Sequence, residues 1–253
     1  MSIPLVLMYH AFGERSDATD PYRLFVGPDD FGWQLDAILQ RGMTPLTLDA
    51  YLAGLRVGAW PAKSVLITID DGYVNTLDLA TPELSSRGLP ATLFALPGLL
   101  GGRSQWMPDM PDEPLLDAAG LRALVAQGVG VEAHGWDHTL LPGLPNAELT
   151  RQVSHTRDAL EDLLGTPPRT FAYASGHHDE RARDAVRAAG YEAAFAVHDP
   201  NGRFALRRTD VNATETRRSF QLKLSPLWRL AYPTLGRLGP LRRAAHAVVG
   251  SVR

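Results

Sequence analysis

The chain has 253 residues, with 25 Lys and Arg against 28 Asp and Glu and a net charge of -3. That balance, with no basic run interleaved with aromatics, excludes a general nucleic-acid binder. With no cysteine, disulfides and thiolate metal sites are also excluded, so any metal must be held by His, Asp or Glu.

The opening "MSIPLVLMYHAF" has a short apolar run, no basic segment and no small-residue cleavage site, so a cytoplasmic protein is expected. No stretch approaches the roughly 20 apolar residues of a membrane span. Pro4 to His10 reads as a buried strand, and Asp30 to Gly42 as a helix with an Asp cap, an apolar face at Phe31, Leu35, Ile38 and Leu39, and a Gly stop. "SVLITI" is a strand that runs into Asp70 and Asp71, and "NTLDLATPELSSRG" is a helix with Pro82 inside it. "PATLFAL" is a strand, "DAAGLRALVAQG" a helix, and "VGVEAH" a strand ending at His134. "NAELTRQVSHTRDALEDLLG" is the longest helix, followed by the strand "RTFAYAS", the helix "DERARDAVRAAG" and the strand "YEAAFAV".

Strands alternating with helices across short Gly or Pro loops indicate parallel βαβ units, and this many predict a barrel or a large doubly wound sheet, of which the barrel is preferred. In either, chemistry collects at the C-terminal strand ends. Here those ends are His10, Asp70 and Asp71, His134, and Tyr173 to Gly176. Leu96 to Pro114, rich in Gly, Pro and Met, reads as a long loop over one barrel end. After Glu215 no acid follows, while Arg217, Arg218, Lys223, Arg229, Arg237, Arg242, Arg243 and Arg253 lie among apolar residues. The expected organisation is therefore a barrel over 1–213 and a basic amphipathic extension over 214–253, either packed on the barrel or in peripheral contact with an anionic membrane surface.

Two adjacent acids at the end of a buried strand repel each other, so something must compensate them. Taken alone, one acid caps the following helix and the other pairs with an Arg such as Arg208. His134 and His138, four residues apart, have a spacing common to two ligands of one metal. Brought to one barrel end, the four residues supply a carboxylate and two imidazoles for a metal and leave one carboxylate over.

"TIDDG" (Thr68 to Gly72), "HGWDH" (His134 to His138) and "FAYASG" (Phe171 to Gly176) resemble the first three motifs of the polysaccharide deacetylases, the NodB homology family. "LVLMYHAF" and "LRRTDV" (Leu206 to Val211) resemble its branch with an N-terminal Tyr-His strand. The resemblance implies a distorted (β/α) barrel of seven or eight parallel strands. It also implies a divalent metal on Asp71, His134 and His138, with Asp70 as general base. The reaction implied is hydrolysis of an N-acetyl group on an amino sugar, the metal activating water and polarising the carbonyl. An Asp and two His suit zinc first, and also cobalt, nickel, manganese or iron.

The backbone N–H of Tyr73, after the Gly72 turn, is placed to donate to the tetrahedral oxyanion. The family's late Leu-x-His motif is missing, so His10 is assigned the proton for the leaving amine; otherwise Tyr9 and His10 close the barrel by hydrogen bonds. No Arg stands at the family's usual position for orienting the base, and Arg208 is its substitute. Tyr173, Ser175, Gly176 and Trp136 are the candidate substrate contacts, with Trp106 a further aromatic able to stack on a sugar. Three departures stand out: Gly135 replaces a hydroxyl residue, Ala174 a Pro, and Ser175 an aromatic. The expected substrate is an N-acetylated sugar or glycan. The alternatives are a deformylase or other amide hydrolase on the same site, or a catalytically inactive carbohydrate-binding barrel.

Overall fold

The computed structural model describes residues 4–225 and Trp228. β1 (Leu5–Tyr9) leads to a short parallel pair, β2 (Ala11–Phe12) and β3 (Phe25–Val26), then α1 (Pro28–Gln40), β4 (Thr44–Pro45) and α2 (Leu48–Val57). β5 (Ser64–Ile69) opens the regular alternation: α3 (Thr81–Ser86), β6 (Thr92–Ala95), α4 (Ala118–Ala126), β7 (Gly130–Ala133), α5 (Asn146–Thr150), α6 (Thr156–Leu164), β8 (Thr170–Ala172), α7 (Glu180–Ala188) and β9 (Ala193–Ala196). β10 (Leu206–Arg207), β11 (Thr209–Asp210) and α8 (Arg217–Lys223) follow.

All strand pairs are parallel, and the main path runs β10-β9-β8-β7-β6-β5-β1-β11. β10 and β11 are halves of one segment interrupted at Arg208, so the circuit nearly closes on itself. This is the distorted (β/α) barrel, with eight strands on the path, or seven if β10 and β11 are counted together.

Alternation along the strands sorts the core into two sides. Leu5, Leu7 and Tyr9, Val65, Ile67 and Ile69, Leu93 and Ala95, Phe171 and Tyr173 all pack in the larger cluster with the helices. Their neighbours Val6, Leu66, Phe94, Ala172 and Phe195 pack together in a second cluster, closed at one end by Tyr51 and Leu52 of α2. The second set lines the barrel interior. Carrying its parity upward, the inward positions are His10 on β1, Thr68 and Asp70 on β5, and Glu132 and His134 on β7.

Helix ends follow the local chemistry. Asp117 and Asp179 cap α4 and α7 through the amides of Gly120 and Ala182. α1 departs from expectation, because Pro28 starts it two residues early behind Gly27, which offers no side-chain cap. Asp30 instead accepts from the Trp33 indole at 2.6 Å. The long helix expected from Asn146 forms as α5, a π turn over Arg151–His155 and α6, ended by Gly165 at φ +75°. A similar π turn, Thr76–Ala80, precedes α3, with Pro82 in that helix's first turn.

Residues 214–225 pack on the barrel: Phe220 and Leu224 belong to the main core, and the Phe220 ring meets Trp33 of α1 edge-on at 5.6 Å. The remainder of the basic extension, including Arg229, Arg237, Arg242, Arg243 and Arg253, lies outside the described residues. Among the described residues no helix is long and apolar enough to cross a membrane.

Candidate active site

β5 delivers Asp70 in strand register, its amide donating to the Tyr9 carbonyl at 2.9 Å. The chain then turns abruptly. Asp71 and Gly72 both have positive φ, +75° and +82°, and the Gly72 amide bonds back to the Asp70 carbonyl at 3.0 Å. A left-handed Asp is strained backbone of the kind that collects at functional sites. Its effect is to give two adjacent carboxylates different directions. His138 is likewise left-handed, at φ +66°.

Asp71, His134 and His138 converge, with their potential ligand atoms all within 4.8 Å of one another. Asp71 Oδ1 lies 3.2 Å from His134 Nε2 and 3.5 Å from His138 Nε2. It is buried and has no hydrogen-bond partner. His134 Nδ1 lies 2.8 Å from the Ala172 carbonyl, which can only accept, so Nδ1 carries the proton and a neutral ring turns a lone pair toward Asp71. Two acceptors this close in a buried site repel unless a cation or a proton lies between them. The donor set, one carboxylate and two imidazoles, is one that divalent transition metals take.

The electrostatics agree with a site short of positive charge. Burial works against a charged His134, yet the negative charges of Asp70 and Asp71 hold its pKa above the ordinary value. Burial brings His138 down to about 4, so it is neutral near pH 7. Asp71 lies well below the carboxylate range, since His134 and His138 outweigh the cost of burial.

The second acid is held differently. Arg208 reaches in from the break between β10 and β11 and clamps Asp70 with two hydrogen bonds, Nη1 to Oδ1 at 2.6 Å and Nη2 to Oδ2 at 2.7 Å. The pair is buried, 1% and 2% exposed. Burial alone would raise the Asp70 pKa, but the charge of Arg208, then that of His134, brings it below the ordinary value. Asp70 is therefore an ionised, oriented carboxylate. Its Oδ2 lies 3.8 Å from His134 Nε2.

Of the other expected site residues, His10 lies at the end of β1, close enough for its charge to lower both Asp70 and Asp71. Its Nδ1 is buried without a partner. The residues flanking Tyr73 are tied to the loop over the barrel end, Leu116 N to Gly72 O at 2.8 Å and Val74 N to Pro114 O at 3.0 Å. This leaves the Tyr73 amide between two paired neighbours. Ser175 is exposed, at φ +50°.

Three of the expected substrate contacts are engaged in packing. Tyr173 is fully buried on the helix side of β8, its hydroxyl donating to the Phe204 carbonyl at 2.9 Å. Gly176, at φ +70°, lies so close to Val197 that a Cβ would come within 2.5 Å of it. Trp136 rests on Gly98, whose amide donates to its carbonyl at 2.9 Å, and so fixes the start of the covering loop.

Two supporting residues carried no sequence signal. Gln152, in the π turn after α5, accepts from Trp136 N at 2.8 Å and donates to Asp137 at 2.6 Å. Asp137 also pairs with Arg151 at 2.9 Å. Between them they brace the turn at Trp136 and Asp137, between His134 and His138.

A family model described as polysaccharide deacetylase matches residues 58–194. YxkH of Bacillus subtilis (strain 168), whose name assigns it provisionally to the polysaccharide deacetylases, is 23% identical over 213 residues, 82% of this chain and 71% of that protein. The Streptococcus pyogenes deacetylase PplD, solved in complex with acetate, has a similar fold, with a TM-score of 0.77 and 22% identity over 88% of this chain and 98% of that one. IcaB from Ammonifex degensii is similar at a TM-score of 0.73 and 24% identity, covering 89% of this chain and 96% of that one.

Proposed function

The chain belongs to the polysaccharide deacetylase family, and from that premise we propose that it is a metal-dependent hydrolase removing an N-acetyl group from an amino sugar in a glycan, oligosaccharide or glycolipid precursor. The observation that carries the metal in this reading is Asp71 Oδ1, buried and without a hydrogen-bond donor between two imidazole nitrogens at 3.2 and 3.5 Å. Asp71, His134 and His138 would hold the ion, with zinc the first candidate and cobalt, nickel, manganese or iron also compatible. When bound, a divalent ion supplies Lewis acidity, polarising a carbonyl and making water a nucleophile at neutral pH.

The chain's own groups supply the rest. Asp70, ionised and held by Arg208, accepts the proton of the attacking water. The Tyr73 amide donates to the oxyanion as the carbonyl carbon becomes tetrahedral. His10, on the neighbouring strand, gives a proton to the departing sugar amine, which leaves with acetate as the other product. Asp70, Asp71, His134 and His138 are all present and converge, which favours an active enzyme over a binding barrel.

The test is elemental analysis of the protein and an Asp71→Ala variant after loading with zinc, followed by assay of acetate release from N-acetylglucosamine oligomers. Near-stoichiometric metal and acetate release in the parent, both lost in the variant, is the expected result. Formate release from N-formylated sugars in its place would change the acyl group. A parent that takes up no metal would overturn the reading.

A further inference from the structure

The two imidazoles of the cluster are oriented by different means. His134 is fixed through Nδ1 by the Ala172 carbonyl at 2.8 Å. Protein metal ligands usually have such a partner on the second ring nitrogen, which fixes the tautomer and the ring plane. His138 makes no side-chain hydrogen bond among the described residues. Its ring instead lies flat on the indole of Trp106, with centroids 4.5 Å apart and planes 16° from parallel.

Trp106 is itself held in place. Its loop leaves the barrel at Gly98 under Trp136 and returns where Leu116 and Pro114 bond to either side of Tyr73. Between these anchors the two arms pair with each other, Ser104 N to Glu113 O at 2.9 Å and Leu115 N to Gly102 O at 3.0 Å. Underneath is a small core of Ala11, Phe25, Tyr73, Met110 and Leu115, against which Trp106 and Met107 pack. The indole is also 6.3 Å from the Tyr73 ring, centroid to centroid. Arg15 to Glu113 at 3.0 Å and Tyr22 to Asp109 at 3.3 Å tie the loop across to residues 13–24.

We infer that Trp106 is a positioning residue of the metal site: its indole face sets the ring plane of His138, taking the part that a hydrogen bond plays for His134. His138 needs this more than an ordinary ligand, because its left-handed backbone, φ +66°, leaves it in a turn with no strand or helix to define its direction. The inference rests on the metal-site reading above. It adds that the covering loop tunes metal affinity without supplying a ligand.

Zinc affinity of the metal-free protein, measured by competition with a chromophoric chelator, tests this in the parent and in Trp106→Phe, Trp106→Leu and Trp106→Ala. Absorption of the cobalt forms reports the ligand geometry, and metal-free unfolding midpoints report the fold. Loss of a group that orients a ligand typically weakens metal binding about 10- to 100-fold. That loss, with a shifted cobalt band, is expected for Ala and Leu, while Phe, which keeps a flat aromatic face, should stay within about 3-fold of the parent.

Leu fills the volume without the face, so the comparison of Phe with Leu decides the matter even if Ala fails to fold. Equal affinity in Phe and Leu would reduce Trp106 to packing and overturn the inference. Lower unfolding midpoints with unchanged zinc affinity would do the same. A parent that binds no zinc would overturn the metal reading itself, and this inference with it.

Discussion

Asp70 and Arg208 show how a single pair can set the charge and direction of the proposed base. With both carboxylate oxygens engaged by one guanidinium in a buried pair, Asp70 keeps lone pairs for a water proton but loses its freedom to turn away. The cation also determines its charge state. A carboxylate buried this deeply would otherwise be raised, whereas here it is lowered, with Arg208 the largest lowering cause. A depressed folded pKa stabilises the native state above the unfolded value near 3.8 and loses that contribution as pH falls through the folded pKa. Arg208→Met should therefore release the Asp70 pKa upward and cost about 3–5 kcal/mol of stability, as loss of one partner of a buried ion pair does. Turnover should fall by about 10²- to 10⁴-fold, with the acid limb of the kcat/KM profile moved to higher pH. Denaturant titration and a pH–rate profile measure both, and an acid limb unmoved from the parent's would remove Arg208 from control of the base. In the sequence Arg208 was only a substitute for the Arg missing from the family's usual position, and nothing signalled its depth. Charged residues are seldom fully buried, and only the Asp70 partner makes this one tolerable.

At the level of elements, strand parity explains both the successes and the misplacements of sequence reasoning. His10, Asp70 and His134 all continue the inward-facing set of their strands, so the strand ends read from "LVLMYH", "SVLITID" and "VGVEAH" lead to one place. Tyr173 has the opposite parity, shared with Phe171 on the helix side, and a period-two reading of "TFAYA" separates it from the site. The two-residue strands β2, β3, β4, β10 and β11 were illegible because no periodicity fits in so short a run. The same parity brings Glu132 inward below His134, where it accepts from Thr170 N and Oγ1 and from Arg169 N at the start of β8. Burial outweighs those hydrogen bonds and raises its pKa from 4.5 to about 7. The folded protein thus keeps a proton that the unfolded chain releases, so stability falls as pH rises from about 4.5 to 7 and changes no further above that. Relative to Glu132→Gln, which has no proton to lose, the parent should lose about 2–3 kcal/mol between pH 5 and pH 8. Urea denaturation at the two pH values checks this. Parallel behaviour of the two proteins would mean that Glu132 is ionised throughout.

For the whole molecule, the barrel was legible because parallel βαβ units have few ways to close, whereas charge composition left open whether the extension from residue 214 packs on the barrel or meets a membrane. α8 packs between α1 and the end of β11. Lys223 donates to the carbonyl of Asp210, the last residue of β11, at 2.7 Å, and pairs with Glu215, whose side chain is buried and also accepts from Ser219 at 2.6 Å. On the other side Phe220 enters the core against Trp33, and Arg217 lies 5.0 Å over the same indole. β11 in turn pairs with β1, with Val211 N bonded to Met8 O at 2.9 Å two residues before His10. Cutting after Ala213 therefore removes more than a tail: it uncovers α1 and leaves the segment around Arg208 without the helix that backs it. A chain of residues 1–213 should unfold at markedly lower denaturant than the full chain. Phe220→Ala alone should cost about 3–5 kcal/mol, as for other buried aromatic truncations. Since the segment around Arg208 also adjoins the strand that leads to His10, deacetylation should fall with stability in the truncated chain rather than survive it. A 1–213 chain with the parent's denaturation midpoint would place the boundary before α8 and make the helix an attachment to an already complete barrel.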